Sequence, residues 1–407
     1  MKPALVVGAG LSGLATAWTL AATGRDVAIV DAADGPGGLI GTIKTSHGLV
    51  ERAANAFVWT DVTERWFAAL GITPQFPKPD AKRRYVFTRG RARRWPLSAS
   101  ETATLAMKIA ASAARRRLKP QSGETIAQFG DRVAGRGVTQ HLLGPALQGI
   151  YGAAPERLSA EAVFGARAKR RGGMAAPPGG MGELIARLHD ALVRKGVTFT
   201  FGTRLDRLDP ATPTVVCTNV AEAARLVAPH ASALGDALAA TPMTSLLTAT
   251  AFFAPHRDDL SGFGVLFPRD SGVRALGCLF NASIFDGRSA VRSETWIFSG
   301  EQDGTGLPAE NGVVTQILAD RERLTGRSDA PLDVVVTRRV PALPVYDTSI
   351  LAIRRHLPDL PPWLRLAGNY TGQIGVAALL ARAEDIGSSG HLDIGSSGAR
   401  TGIEMIR

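Results

Sequence analysis

The chain has 407 residues, of which 45% are hydrophobic and 20% charged, a normal globular balance at a length that predicts two or three domains. No run of eighteen apolar residues occurs, which excludes a membrane-spanning helix, and we expect no secretory signal. The net charge of +11 indicates an anionic partner, and with only 6% aromatic residues an acidic substrate or an anionic membrane is favoured over nucleic acid.

The first thirty-one residues predict a dinucleotide-binding βαβ unit. A strand at 4–7 leads into Gly8-Ala9-Gly10-Leu11-Ser12-Gly13, a helix continues to Leu20, and a second strand at 27–30 ends on Asp31. Gly8 permits a tight turn, Gly10 lets the backbone approach a pyrophosphate, and Gly13 allows close packing of helix on strand. The helix N-terminus favours phosphate, and Asp31 is placed to bind ribose hydroxyls.

A glycine pair, Gly37-Gly38, follows where an NAD enzyme would normally begin its next helix. The run from there to Phe57 resembles the second FAD-contact stretch of the flavin amine oxidase superfamily. The alternative is a surface loop rich in turn residues.

Cations crowd the next part of the chain, at Lys82, Arg83, Arg84, Arg89, Arg91, Arg93, Arg94, Arg115, Arg116, Arg117 and Lys119. Between them an amphipathic helix is predicted over 100–114, with Trp95 at its entry. Such a helix can lie in a membrane interface with its cations on lipid phosphates. A packed internal helix with a solvated basic end explains the pattern equally well.

Further elements follow from apolar periodicity. Helices are predicted over 124–133, 139–147, 181–193, 313–324 and 377–383, and strands over 197–201, 205–208, 215–219, 246–253, 264–267, 275–280, 295–298 and 334–337. Near the end, an apolar strand at 364–366 enters a glycine-rich turn before the last helix, which returns the chain to the cofactor. The repeated sequence Asp-Ile-Gly-Ser-Ser-Gly at 385–390 and 393–398 predicts a flexible linker.

Polar chemistry outside the glycine turns is sparse. Cys217 and Cys278 are interpreted as buried thiols of a cytosolic protein, and the seven scattered histidines predict no metal site. No catalytic residue is assigned.

Five segments, taken in order, resemble the FAD-dependent protoporphyrinogen/coproporphyrinogen oxidase family within the flavin amine oxidase superfamily. They are 8–13, 147–151 with 158–160, 179–181, 262–268 with 275–280 and 284–288, and 367–370 with 372 and 375–376. The resemblance implies an α/β fold: a Rossmann-like, discontinuous FAD-binding domain (1–70, 178–225 and 341–407), a mixed α+β substrate domain (71–90, 165–177 and 226–340) and a helical membrane-associating insertion (91–164).

The resemblance also implies a residue map. The predicted FAD contacts are Gly8, Ala9, Gly10, Leu11, Ser12, Gly13, Asp31, Ala32, Gly38, Leu39, Ala53, Ala54, Asn55, Ala56, the backbone of Leu205, Asn369, Ile374, Gly375 and Val376. The predicted substrate contacts are Arg84 for a propionate, Gly149 beside the macrocycle, and Leu266, Leu279 and Phe298 against the tetrapyrrole rings.

The implied activity is oxidation of protoporphyrinogen IX or coproporphyrinogen III in heme biosynthesis, by removal of six electrons with dioxygen as acceptor. Hydride leaves a methylene bridge for the flavin and a pyrrole proton goes to solvent, so no side-chain nucleophile is required. The expected location is cytoplasmic and peripheral, on the inner face of the cell membrane. The sequence is compatible with either a monomer or a homodimer. The alternatives are another flavin oxidase acting on an amine or polyene, and a non-catalytic basic membrane-associated relative.

Overall fold

The computed structural model describes residues 2–114, 118–165, 172–301, 304–372 and 374–388. The strands are β1 (Ala4–Val7), β2 (Val27–Val30), β3 (Thr42–Lys44), β4 (Leu49–Glu51), β5 (Phe57–Val58), β6 (Arg84–Thr88), β7 (Arg91–Arg93), β8 (Met174–Ala175), β9 (Thr198–Thr200), β10 (Thr214–Val216), β11 (Leu246–Phe253), β12 (Gly264–Leu266), β13 (Gly277–Phe280), β14 (Arg292–Ser299), β15 (Asp333–Arg339) and β16 (Leu364–Leu366).

The helices are α1 (Leu11–Ala22), α2 (Asp61–Leu70), α3 (Ala99–Ala114), α4 (Ile126–Val133), α5 (Arg136–Val138), α6 (Gly144–Tyr151), α7 (Ala160–Phe164), α8 (Met181–Arg194), α9 (Val220–Val227), α10 (Ser232–Ala239), α11 (Asn281–Ile284), α12 (Val313–Thr325), α13 (Thr348–His356) and α14 (Val376–Ser388). A π-helical turn, Thr139–Leu143, joins α5 to α6. Short 3₁₀ turns lie at Pro79–Lys82, Glu310–Gly312 and Leu357–Asp359.

A five-stranded parallel sheet, in the order β16-β10-β1-β2-β9, forms the first layer. Its strands are short and valine-rich and are covered on both faces, as parallel sheets require. Helices α1, α8 and α14 pack together in the hydrophobic core on one side, while α9, α10 and α13 belong to the core on the other. The strands come from both early and late parts of the chain, as a discontinuous Rossmann-like unit predicts. The domain bounds given above stay a prediction.

The second layer is a seven-stranded sheet in the order β15-β11-β14-β13-β12-β6-β7, mostly antiparallel. One face carries the buried side chains of Val265, Cys278 and Trp296 and packs against α12. Successive residues of a strand point to opposite faces, so the alternate residues of the same strands form the other face. We call this other face the open face.

Helix α3 confirms the helix predicted over 100–114, but most of its residues are exposed or half-buried and only Ser112 is buried. Its apolar side chains Met107 and Ile109 are 66% and 44% exposed, so α3 is not a packed internal helix. In the described part of the chain, no helix has the length and apolarity that crossing a membrane needs. Arg115, Arg116 and Arg117 lie outside the described residues.

Two predictions of local structure are wrong. Residues 205–208 form an irregular segment instead of a strand, held at its start by hydrogen bonds from the Arg225 guanidinium to the carbonyls of Leu205 and Asp206. The first Asp-Ile-Gly-Ser copy is the end of α14, where Ile386 is 3% exposed, and is not a linker. The second copy lies outside the described residues.

Candidate functional site

The glycine-rich turn after β1 needs glycine at two positions for packing reasons. Gly8 has φ of +108°, and a Cβ there would lie 2.8 Å from the Cys217 carbonyl oxygen. A Cβ at Gly13 would lie 1.8 Å from the Gly8 carbonyl oxygen, so α1 packs against the end of β1 only because Gly13 lacks a side chain.

Gly10 differs, because a side chain added there would enter open space. A Cβ at Gly10 would have only the Gly38 Cα, at 3.9 Å, as a near neighbour. Gly10 caps α1 without any side-chain hydrogen bond, and the first turn of α1 holds no acidic residue. The N–H groups at the start of α1 are therefore available to an anionic group, and the residues present fit the pyrophosphate of FAD.

Asp31 lies at the end of β2 beside the same turn. Its carboxylate accepts hydrogen bonds from the N–H of Ala9 at 2.5 Å and of Ala33 at 2.7 Å. The Thr203 N–H donates to the Asp31 carbonyl at 2.9 Å, which brings the loop containing Leu205 to the same strand end. Ala32 is exposed next to Asp31, where a ribose would lie.

The early and late turns meet across the parallel sheet. The Ala367 N–H donates to the Val216 carbonyl at 3.0 Å, and Cys217 in turn donates to the Val7 carbonyl at 2.7 Å. The late turn carries Asn369, Ile374 and Gly375 and opens α14 at Val376, a helix with no acidic residue in its first turn. The Thr19 hydroxyl of α1 donates to the Ala383 carbonyl of α14 at 2.9 Å, which fixes the two helices side by side.

The loop Ala53-Ala54-Asn55-Ala56 connects the two layers. The Asn55 side-chain amide donates to Asn281 Oδ1 at 3.0 Å. Asn281 is 5% exposed and donates onward to Ser293 Oγ at 3.0 Å and Thr295 Oγ1 at 2.8 Å. This buried polar chain holds the predicted flavin-contact loop against the second sheet.

The open face of the second sheet carries three of the five predicted substrate contacts, Arg84, Leu266 and Leu279, and α6 places a fourth, Gly149, over it. Leu266 and Leu279 are half-buried there, in the rows Leu266–Gly277 and Gly264–Leu279. Gly149 of α6 lies over Leu266, since a Cβ at Gly149 would be 3.4 Å from Leu266 Cδ2. These residues form an apolar wall of the kind that binds flat, apolar ligands.

Arg84 supplies a cation at the edge of this wall. It pairs with Gly264 in the parallel β6–β12 ladder, and its exposed guanidinium lies 4.8 Å from the centroid of the Phe263 ring. Its Nη2 lies 4.0 Å from Met174 Sδ, and Met174 pairs with Val58 just beyond the predicted flavin loop. No acidic partner of Arg84 occurs among the residues that the structure describes, so it is available to a carboxylate.

Phe298 does not join the wall, which corrects its predicted role. It is 1% exposed and belongs to the hydrophobic core under α12, on the same face as Trp296 and Cys278. Its neighbour Ile297 pairs with Gly277 and is half-buried on the open face. A shift of one residue along a strand exchanges the two faces, so Ile297, and not Phe298, lies on the open face. Phe263, whose ring the Arg84 guanidinium faces, is a second residue of the candidate site that the sequence analysis missed.

Three buried titratable groups, Cys217, Cys278 and Tyr370, are poor reactants. Burial raises the pKa of the Cys217 thiol to about 12, and burial likewise raises the pKa of Cys278 well above its ordinary value. Burial also raises the pKa of the Tyr370 hydroxyl, so it stays neutral. None of these groups offers an acid or base at neutral pH, which agrees with a site whose chemistry resides in its cofactor.

The family model of flavin-containing amine oxidoreductases matches residues 11–373, which run from the start of α1 to the late glycine turn and include the whole second sheet. The chain belongs to this family. Membership makes it an FAD-dependent oxidoreductase, and the α/β fold predicted from the sequence is the fold of the flavin amine oxidases.

Relatives within the flavin-containing amine oxidoreductase family confirm the predicted resemblance to porphyrinogen oxidases. The coproporphyrinogen III oxidase of Propionibacterium freudenreichii is 28% identical over 59% of this chain, and the match spans 61% of that protein. The coproporphyrinogen III oxidase of Mycobacterium bovis is 27% identical over 93% of this chain and 95% of its own length. The chloroplastic protoporphyrinogen oxidase of Nicotiana tabacum is 24% identical over 94% and 84%.

Solved structures of family members share the fold across almost the whole chain. A crystal structure of a candidate protoporphyrinogen oxidase from Exiguobacterium sp. 255-15 superposes with a TM-score of 0.81 at 17% identity, covering 96% of this chain and 99% of that one. A putrescine oxidase variant superposes with a TM-score of 0.71 at 14% identity, covering 95% and 98%. At these identities the likeness establishes the fold and leaves the substrate open.

Proposed function

We propose that this flavoprotein oxidises a porphyrinogen, either protoporphyrinogen IX or coproporphyrinogen III, to the corresponding porphyrin in heme biosynthesis. The observation that carries the proposal is the apolar wall of Leu266, Leu279 and Gly149 with Arg84 at its edge. A porphyrinogen is a flat apolar macrocycle with carboxylate arms, and it needs this combination of surfaces. Relatives that are named for this reaction support the same substrate class.

FAD, when bound along the two glycine turns, supplies a two-electron acceptor beside the apolar wall. The wall excludes water and orients the ring, and Arg84 fixes one propionate so that a methylene bridge is presented to the cofactor. Three rounds remove six electrons. With dioxygen as acceptor, three molecules of O₂ become three of hydrogen peroxide for each porphyrin formed.

The decisive experiment is turnover of both porphyrinogens, prepared without oxygen and then mixed aerobically with the FAD-loaded protein. Porphyrin fluorescence should rise at a rate proportional to enzyme, with three equivalents of peroxide per porphyrin. Oxidation of putrescine or cyclohexylamine in place of either porphyrinogen would overturn the proposal in favour of an amine oxidase.

Arg84→Ala should raise KM for the porphyrinogen about tenfold or more, because the loss of a charge-assisted hydrogen bond costs about 1.5–3 kcal/mol. FAD content, read from the flavin absorbance, should not change, since Arg84 lies on the wall and not on the glycine turns. Arg91→Ala on the neighbouring strand β7, also exposed, is the matched control. An unaltered KM in Arg84→Ala would remove the residue from the site.

We also propose peripheral membrane contact through α3 at the cytoplasmic face. Trp95, Met107 and Ile109 are 53%, 66% and 44% exposed, and the exposed Arg91 and Arg94 lie nearby in sequence. Exposed apolar side chains beside cations are typical of helices that lie in an anionic lipid interface. This contact would place the enzyme at a lipid surface, where the hydrophobic porphyrin product can be transferred.

The double change Met107→Asp with Ile109→Asp should lower binding to phosphatidylglycerol vesicles about tenfold, a loss of about 1.4 kcal/mol. Binding is measured by co-sedimentation, and turnover in detergent should not change. Val193→Asp on α8, which is 52% exposed, is the control. Equal binding by the double variant and the wild type would contradict the membrane role of α3.

A further inference from the structure

Arg339 is the last residue of β15, and two of its three guanidinium nitrogens lack a hydrogen-bond partner in the described part of the chain. Its Nε and Nη2 are shielded from solvent and form no hydrogen bond with any of the described residues. Shielded cationic donors normally lie against an anion, because leaving them unpaired costs free energy. The residue therefore indicates a binding position for a negatively charged ligand.

The surroundings of Arg339 strengthen this interpretation. A solvent-open cleft of about 360 Å³ is lined by Ile43, Arg52, Val336, Thr337, Arg338 and Arg339. The lining holds three arginines and no acidic residue. Burial, and secondarily the charge of Arg52, lower the pKa of Arg339. Arg338 points elsewhere, since it is exposed and donates to the Pro308 carbonyl.

The cleft adjoins the site described above. Arg52 directly precedes the loop Ala53–Ala56, which is the predicted flavin contact. Arg339 pairs with Leu246, and Leu246 pairs with Ser299, two residues along β14 from Ile297. By strand alternation Arg339 thus lies on the open face, the face that carries Leu266 and Leu279.

Arg339 and Arg84 lie far apart on this face. Strands β15 and β6 are five strand spacings apart, roughly 24 Å at the usual separation. Arg84 also lies in the row of Val335, which is four residues along β15 from Arg339, roughly 13 Å. One carboxylate therefore cannot contact both arginines, and carboxylates on opposite edges of a macrocycle are better spaced for them than carboxylates on the same edge.

We propose that Arg52 and Arg339 bind a carboxylate arm of the macrocycle, on the edge opposite the arm bound by Arg84. This inference rests on the proposed function. Coproporphyrinogen III has a propionate on every pyrrole and so presents carboxylates on opposite edges, whereas protoporphyrinogen IX has propionates on two adjacent pyrroles. The pair of arginines is therefore a specificity determinant that favours the tetracarboxylate substrate.

The test compares Arg339→Gln and Arg52→Gln with Arg338→Gln, an arginine of the same cleft that points away from it. All variants are assayed FAD-loaded, with KM and kcat measured for both porphyrinogens. Arg339→Gln and Arg52→Gln should raise KM for coproporphyrinogen III at least tenfold and for protoporphyrinogen IX less than twofold, with kcat nearly unchanged. Arg338→Gln should alter neither value. Binding of the product coproporphyrin III, read by fluorescence quenching, should weaken by the same factor.

Folding and cofactor content separate this role from others. Arg339→Gln removes a shielded, unpaired charge, so its thermal midpoint should not fall below that of the wild type. Equal effects on the two porphyrinogens, no effect on either, or loss of FAD from Arg339→Gln would each overturn the inference while wild-type turnover keeps the proposed function intact. Absence of wild-type turnover with both porphyrinogens would overturn the proposed function, and this assignment with it.

Discussion

Replacing Gly10 with valine should give a folded protein that retains no FAD. The structure makes this expectation specific, because a Cβ at Gly10 meets no protein atom closer than the Gly38 Cα at 3.9 Å. The backbone of Gly10 has φ of −73°, which valine can adopt. The valine side chain would instead occupy the space in which a pyrophosphate approaches the N-terminus of α1.

We expect the affinity for FAD to fall at least 100-fold, about 2.7 kcal/mol, with loss of the flavin absorbance and of turnover. The circular dichroism spectrum should match that of the wild-type apoprotein. Gly312→Val is the matched control, since a Cβ at Gly312 meets nothing within 4 Å and the residue lies before α12, on the far side of the second sheet. Full cofactor occupancy in Gly10→Val would show that the turn does not hold the pyrophosphate.

Gly13→Val provides the opposite case at the same turn. A Cβ there would lie 1.8 Å from the Gly8 carbonyl oxygen, so this variant should fail to fold whether or not FAD is present. The contrast between the two glycines separates the cofactor role of the turn from its packing role. Sequence alone assigns both glycines to one motif and cannot make this distinction.

The cofactor half of the site could be predicted because its elements are local. Strand, turn, helix and Asp31 follow one another within thirty-one residues, so the period of the pattern and the glycines together determine the arrangement. The late turn was predicted for the same reason: an apolar strand runs directly into glycine and a helix. What these short segments bind is decided mostly by backbone groups, which depend little on distant residues.

The substrate half is harder because it depends on which face of a sheet each residue occupies. Along β14, Trp296, Ile297 and Phe298 are all apolar, so no alternation of polar and apolar residues reports the face. The strand is covered by α12 on one side and by the cofactor layer on the other, and only the pairing with β13 assigns Ile297 to the open face. Arg52 and Arg339 are 287 positions apart, and no motif or periodicity links them.

Composition misled the prediction at the end of the chain. Gly387 and Ser388 are typical linker residues, yet they end α14. A Cβ at Gly387 would lie 2.6 Å from Thr19 Cβ, so here glycine permits close packing of α14 on α1. The same residue type therefore marks flexibility in one setting and a tight helix contact in another.

Glu294→Gln should cause the largest loss of stability among the variants that we expect to fold. Glu294 is 1% exposed on the face under α12, and its carboxylate accepts from Arg292 Nε at 2.8 Å and Trp296 Nε1 at 3.2 Å. Arg321 of α12 is fully buried with its Nε 3.4 Å from the same carboxylate. Neutralising Glu294 removes the carboxylate that both buried guanidinium groups face. Arg321 keeps its ion pair with Asp329 at 2.9 Å and Arg292 keeps its hydrogen bond to the Leu260 carbonyl, so we expect a cost of about 3 kcal/mol.

The measurement is the free energy of unfolding from urea titrations of the FAD-loaded protein, followed by tryptophan fluorescence. Asp286→Asn is the control, because its ion pair with Lys78 spans 3.6 Å and the Asp286 side chain is 81% exposed, so its removal should change stability little. Adding Arg321→Met to Glu294→Gln should recover part of the lost free energy of unfolding, since a buried cation that no longer faces the Glu294 carboxylate is then replaced by an apolar side chain. The double variant also distinguishes the ion pair from the apolar core as the means by which α12 holds the sheet that carries the apolar wall. Additive losses in the double variant would assign that role to packing alone.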